Sequence, residues 1–255
     1  MVQPRLVTIP ISHYCEKARW ALDRAGIGYR EEPHVQGIHQ VAARRAGGGV
    51  TVPVLVSDQG AIGESRQILE WADERTAPGH RLFSPDPAVR LQELETCGRL
   101  DALLGPSARR LVYVQMLPQR ELMFDYNNQG VPAWEDRAIR AAWPVFFWFA
   151  RRVLGISPGV QAGDEEILWR EMDFVAALLA DGRPFLHGER FGAADLTFAS
   201  LAAAVIWPAE YGVALPDPRS ARPSTRSLLE RAREHPAGRY AMSLFATERH
   251  RTLAR

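Results

Sequence analysis

The chain has 255 residues, 46% of them hydrophobic, enough to bury a full core in one large domain or two ordinary ones. Lys and Arg total 31 against 30 for Asp and Glu, and a net charge of +1 argues against a nucleic-acid or acidic-membrane partner. Two cysteines, Cys15 and Cys97, make neither a disulfide framework nor a zinc pattern, so no metal is expected.

In chain order, Leu6 to Ile9 has strand composition, and Pro10 is tolerable at its end because it owes no N–H to a ladder. Cys15, Ala18, Ala21, Leu22 and Ile27 then recur at helical spacing, with Glu16, Lys17, Arg19 and Asp23 at the other positions, predicting an amphipathic helix over Tyr14–Ala25. A strand near Tyr29–Val35, a short helix near Val41–Ala46, strands at Val54–Val56 and Ala61–Ile62 and a helix over Ser65–Arg75 complete a βαβ unit followed by ββα. Pro78 to Pro87, with three prolines and a glycine, reads as a linker. Beyond it the chain is predicted all-helical. One long helix carries Leu91, Leu94, Leu100, Leu103 and Leu104 and ends near Tyr113–Met116. Others cover Trp134–Leu154, Glu165–Ala180, Ala193–Trp207, Pro223–Glu234 and Arg239–Arg249. The boundaries are therefore 1–77 for the α/β domain, 78–87 for the linker and 88–255 for the helical domain. No charged start with an apolar core and cleavage site opens the chain. The apolar stretch Ala141–Ala150 is far shorter than the ~20 residues of a spanning helix. A cytoplasmic protein without a membrane partner is expected.

Three short motifs carry chemistry. Ser12-His13-Tyr14-Cys15 lies where the first strand runs into its helix, and free N–H groups with the positive dipole end there stabilise a thiolate. Val52-Pro53 opens a strand. A cis bond there would turn the Val52 N–H and C=O outward, free to hold an extended peptide. Glu64-Ser65 opens a helix, where the Ser65 hydroxyl and first-turn N–H groups suit a carboxylate and the Glu64 carboxylate suits an ammonium. An α-amino acid end would satisfy both. Taken singly, each motif is more often an ordinary cap or turn.

In this combination and order the motifs resemble the cytosolic glutathione transferase family. Ser12-His13-Tyr14-Cys15 is similar to the C-x-x-C of glutaredoxin-like domains with Ser replacing the first Cys. Thr51-Val52-Pro53-Val54-Leu55 is similar to the family's cis-proline strand, and Glu64-Ser65-Arg66-Gln67-Ile68 to its E-S-x-x-I element. Further on, Phe185-Leu186-His187-Gly188 and Phe191-Gly192-Ala193-Ala194-Asp195 resemble the family's F-L-x-G…F-S/T-x-A-D motif, with Gly192 replacing the capping Ser/Thr. Glu234-His235-Pro236-Ala237-Gly238-Arg239-Tyr240 resembles the endings of bacterial members. Lys17 is the only lysine, an Arg bias that fits GC-rich bacterial coding.

The resemblance implies a thioredoxin-like N-terminal domain, a helical-bundle C-terminal domain and glutathione as co-substrate. It implies that Ser12 donates to the glutathione sulfur, with Tyr14 the competing activator and Cys15 a buried, inert third. Val52, Pro53, Glu64 and Ser65 would bind glutathione, and Thr51 stands where many relatives carry a basic or amide residue for its glycine carboxylate. His39, Arg44 and Arg45 are the alternatives for that last role, although His34 and His39 otherwise read as solvated surface histidines. A small apolar electrophile would sit between the domains against His13, Tyr113 and Met116. Trp143–Phe149 is apolar on all sides, which indicates burial in a core or a homodimer interface. The long polar stretch Glu121–Val131 reads as a loop and a candidate lid. Glutathione-dependent isomerase or peroxidase chemistry, or a non-catalytic relative of the same fold, are the competing functions.

Overall fold

The computed structural model describes residues 3–153, 155 and 157–251. Its first part folds as β1 (Arg5–Thr8), α1 (His13–Arg24), β2 (Arg30–Pro33), α2 (Ile38–Arg45), β3 (Val54–Ser57), β4 (Gly60–Ile62) and α3 (Ser65–Glu74). The strands form one sheet in the order β2-β1-β3-β4. β1 runs parallel to β2 and antiparallel to β3, and β3 is antiparallel to β4. A parallel pair needs a crossover, which α1 supplies, and the antiparallel β3–β4 pair closes through Asp58-Gln59. This is the small mixed sheet of a thioredoxin-like domain.

α1 departs from the amphipathic expectation. Trp20, Ala18, Ala21 and Leu22 are buried as the spacing requires, but Glu16, Lys17 and Arg19 are buried as well. The reason is tertiary: α1 packs on α3 and also on α10 (Ala193–Ile206) of the helical part. Its polar face meets protein instead of water. The Lys17 ammonium reaches the Asp101 carboxylate at 2.8 Å, and Arg19 reaches Glu31 at 2.6 Å. Glu16 pairs with Arg249 and accepts the Gly212 N–H at 3.1 Å.

The helical part comprises α4 (Pro87–Ala102), α5 (Leu104–Met116), α6 (Arg120–Asn127), α7 (Ala133–Ala141), α8 (Trp143–Val153), α9 (Pro158–Leu178), α10, α11 (Pro223–Glu234) and α12 (Pro236–Glu248). Three expectations are corrected. The single long helix is two, broken at Leu103, because Pro106 has no N–H for the Ala102 carbonyl and its ring crowds that carbonyl. Trp134–Leu154 is also two helices, with Leu154 outside the described residues. Glu121–Val131 is mostly α6 and no loop: Met123, Phe124 and Asn127 are buried, so it does not have the exposed character of a lid.

α8 divides its apolar residues between an inner and an outer face. Trp143, Phe146, Phe147 and Ala150 pack inward, whereas Val145 is 71% exposed and Trp148 66% exposed. All-round apolarity here records an inner face and an uncovered outer one. The 120–153 segment is tied to the α/β domain by Glu135, whose buried carboxylate accepts the Val35 N–H at 3.0 Å and faces His34 Nδ1 at 2.7 Å. His34 is therefore part of a contact between the two halves of the chain.

α10 is buried at every position but Ala204 and begins without a capping hydroxyl. Asp195 compensates. Its carboxylate accepts the Gly192 N–H at 2.7 Å, the Leu186 N–H at 2.8 Å and the Tyr240 hydroxyl at 2.5 Å. Asp195→Ala leaves all three donors without this acceptor in a water-poor environment, and at about 1 kcal/mol or more per donor the expected loss is about 3 kcal/mol. Urea unfolding followed by tryptophan fluorescence measures it; a loss below 1 kcal/mol would show that the donors find other acceptors.

Candidate active site

Ser12 is the N-cap of α1, in extended conformation, and its Oγ accepts the Cys15 N–H at 3.4 Å. That bond uses a lone pair and leaves the hydroxyl proton to donate elsewhere. The His13 and Tyr14 N–H groups of the same turn have no acceptor among the described residues. This helix start opens on a cavity of about 370 Å³ between the sheet domain and the helices.

Of the residues singled out in the sequence, Ser12, His13, Tyr14, Thr51, Val52, Tyr113 and Met116 line this cavity, together with His39. Their elements explain the convergence. β1 ends beneath the start of α1, the segment before β3 brings in Thr51 and Val52, and α5 presents Tyr113 and Met116 from the other side. The Val52–Pro53 peptide is cis, and Val52 makes no hydrogen bond among the described residues. Pro53 is buried behind Val52. Glu64 and Ser65 lie outside the cavity lining, at the start of α3. They stay close to its rim, because Gly63 abuts Gly48 and Gly49 just before Val50 and Thr51. Glu64 is exposed and makes no side-chain cap of its own helix. Arg44 and Arg45 are exposed and line no part of the cavity.

The electrostatics separate the candidates. The Tyr14 hydroxyl donates to the Asp101 carbonyl at 3.0 Å, and burial, with the Asp101 charge, holds the phenol well above its ordinary range. Its proton is committed to α4. Cys15 is fully buried, which pushes its thiol up to about 11 and leaves it inert. His13 donates Nε2–H to the Gly105 carbonyl at 3.1 Å, and burial, with nearby Arg109, lowers it to about 3. Burial lowers His39 to about 4, so it too is neutral, and it is a cavity residue and not a solvated one.

The cavity also contains Phe146 of the aromatic segment and residues that no motif pointed to: Gln36, Arg109, Trp207 and Tyr211. For Arg109 a signal existed. Arg109, Val112, Tyr113 and Met116 stand at i, i+3, i+4 and i+7, one face of one helix.

Residues 6–80 match the family model for the N-terminal domain of glutathione S-transferase. No curated protein sequence matches the chain. Solved structures match it over nearly its whole length. Glutathione transferase F2 of Populus trichocarpa shares 18% identity over 97% of this chain and 95% of its own, with a TM-score of 0.63. A glutathione S-transferase of Xanthobacter autotrophicus Py2 gives 18%, 96%, 93% and 0.60. The theta-class enzyme of Xanthomonas axonopodis pv. citri, solved with glutathione bound, gives 18%, 95%, 98% and 0.55. Residues 6–80 thus match the N-terminal domain of glutathione S-transferase, and the chain has the fold of these transferases along nearly its whole length.

A histidine buried in the neutral form makes stability depend on pH. His13 has its folded value near 3 against an ordinary 6.5, so its contribution is fully present above about 6.5 and is lost as pH falls towards 3. His13→Gln removes this proton linkage. The stability gap between wild type and variant is expected to shrink steadily from pH 6.5 to pH 4 in chemical denaturation; a gap constant with pH would mean that His13 is not held neutral.

Proposed function

We propose that the protein is a glutathione transferase, which activates the glutathione thiol and directs it at a small, largely apolar electrophile. One observation carries the reading: the Ser12 hydroxyl, with its proton free, caps the helix whose first-turn N–H groups face the cavity beside Val52. In this reading glutathione lies extended along Val52 as an added strand. Its γ-glutamyl carboxylate meets Ser65 and the α3 N-terminus, its ammonium meets Glu64, and its glycine end lies towards Thr51 and His39. Ser12 donates to the sulfur, and the α1 dipole favours the thiolate.

The sulfur then attacks an electrophilic carbon held against Met116, Tyr113 and Phe146, forming the C–S bond as the leaving group departs with its electron pair. Proximity and thiol acidity supply the acceleration. Tyr14 is assigned a positioning role, since its proton is given to Asp101. The same thiol site would serve an isomerase or peroxidase, and the choice of electrophile is what separates these reactions.

Ser12→Ala is expected to reduce kcat about 10- to 100-fold, the value of a hydrogen bond to a charged sulfur, while glutathione affinity stays nearly native. Steady-state kinetics with aryl halides, hydroperoxides and maleyl-type isomers measures both the loss and the reaction class; full activity in Ser12→Ala beside a dead Tyr14→Phe would transfer the role to Tyr14. Ser65→Ala and Glu64→Ala should each weaken glutathione binding through loss of charge-assisted hydrogen bonds. Native affinity by calorimetry in both variants would remove the proposed γ-glutamyl site.

We further propose a homodimer in which the thioredoxin-like domain of one protomer meets the helical domain of its partner. The uncovered apolar face of α8, with Val145 and Trp148, supports a second copy as its cover. Light scattering at micromolar concentration should give twice 28.5 kDa, and a stable monomer would reject the dimer.

A further inference from the structure

The cavity is apolar over most of its wall, with Ile9, Val112, Met123, Phe146 and Trp207 among its residues, and among the described residues no Asp or Glu lines it. His13 and His39 are neutral there, for the burial reasons given above. Arg109 is therefore the one formal charge on the wall among the described residues. Its Nε is buried and has no hydrogen-bond acceptor among those residues.

This arrangement is unlike that of neighbouring arginines. Arg110, the next residue on α5, forms a bidentate pair with Asp164, and Arg99 on α4 reaches Glu171 at 2.6 Å. Both of these arginines are matched by carboxylates on α9. The buried Nε of this Arg109 guanidinium loses hydration and recovers no hydrogen bond from the described residues. A ligand can supply what is missing. The guanidinium fork matches a carboxylate or phosphate-like oxyanion in two parallel hydrogen bonds.

A second donor stands one helical turn away on the same face. Gln36 Nε2 donates to the Tyr113 hydroxyl at 3.0 Å, which occupies an oxygen lone pair and leaves the phenolic proton unused. Arg109 and Tyr113 occupy i and i+4 of α5, and both line the cavity.

We propose that the second substrate is an amphipathic acid: an apolar or aromatic body held by the cavity wall, with an anionic oxygen group bound by Arg109 and the Tyr113 hydroxyl. The assignment of this ligand as the electrophile rests on the transferase reading; the anion site itself does not. Charge-assisted bidentate contact beside a mostly apolar wall should favour the anion about 10- to 100-fold over a neutral isostere.

The test separates the two claims. Calorimetry on the full chain without glutathione compares 4-phenylbutyrate with 4-phenylbutanamide, matched in body and differing in charge. Wild type should prefer the acid about 10- to 100-fold, Arg109→Gln should bind both alike, and Arg109→Lys should recover part of the preference. Unchanged amide affinity in the variants certifies that the pocket is intact. With glutathione present, kcat/KM for 4-chloro-3-nitrobenzoate over 4-chloro-3-nitrobenzamide should show the same ratio and the same dependence on Arg109. Equal affinity for acid and amide in wild type would overturn the anion site, as would a preference that survives Arg109→Gln. If Arg109→Gln instead weakens glutathione or raises the thiol pKa of bound glutathione while the aryl acid-to-amide ratio is untouched, Arg109 serves the co-substrate and the inference fails. An anion preference in a protein that shows no glutathione binding would sustain the site and sink the transferase reading.

Discussion

The docking of the first turn of α1 on the break between α4 and α5 is the constraint on which the site depends. Pro106 interrupts the helix, and the disrupted turn offers carbonyl oxygens to α1: Asp101 accepts from Tyr14, and Gly105 accepts from His13. The approach is close enough that a Cβ on Gly105 would overlap the Tyr14 hydroxyl, so a residue without a side chain is required there. Asp101 contributes twice, since its carboxylate also neutralises Lys17. These contacts set the distance between Ser12 and α5, and hence the width of the cavity whose two walls they are.

Charge is distributed unevenly across this junction. Away from the cavity, Glu16, Arg19, Arg24, Glu248 and Arg249 form ion pairs where α1 meets the C-terminal helix and the chain that follows it. Such buried pairs recover little net free energy, but removing one partner strands the other charge at a cost of about 3 to 5 kcal/mol. They therefore penalise misaligned docking of the domains more than they stabilise the aligned one. Among the described residues, Arg109 is the only charge on the cavity wall. In a water-poor space an isolated cation acts over a longer range than it would in solvent, and this makes the cavity selective for ligand charge as well as for shape.

The 120–153 segment gives the cavity much of its apolar character. Met123, Phe146, Phe149, Ala150 and Val153 all line it, while Glu135 and Asn127 anchor the segment to the loop between β2 and α2 through Val35 and Gln36. Glu121–Val131 suggested a loop because it is a long polar stretch that includes Asn127-Asn128-Gln129-Gly130. Two of them, Asn127 and Gln129, instead satisfy partners distant in sequence, Gln36 and Ala214. Side-chain hydrogen bonds of this kind have no local signature.

Much of the thioredoxin-like half was legible from the chain alone, because its determinants are local. Strand composition, the period of α1, the proline after Val52 and the cap-like Glu64-Ser65 each act within a few residues, and their order carried the family resemblance. The same holds for Asp195, which lies three residues after its N-cap. Tertiary structure decided what periodicity cannot encode: that the polar face of α1 meets protein, that α8 covers a cavity with one face and leaves the other uncovered, that Tyr14 spends its proton on Asp101, and that Arg109 has no counterion among the described residues. Each of these depends on what stands opposite a side chain across a gap of tens to hundreds of residues. A hydropathy pattern reports only that a face is polar or apolar, whereas the identity of its partner is fixed when the two domains close on each other.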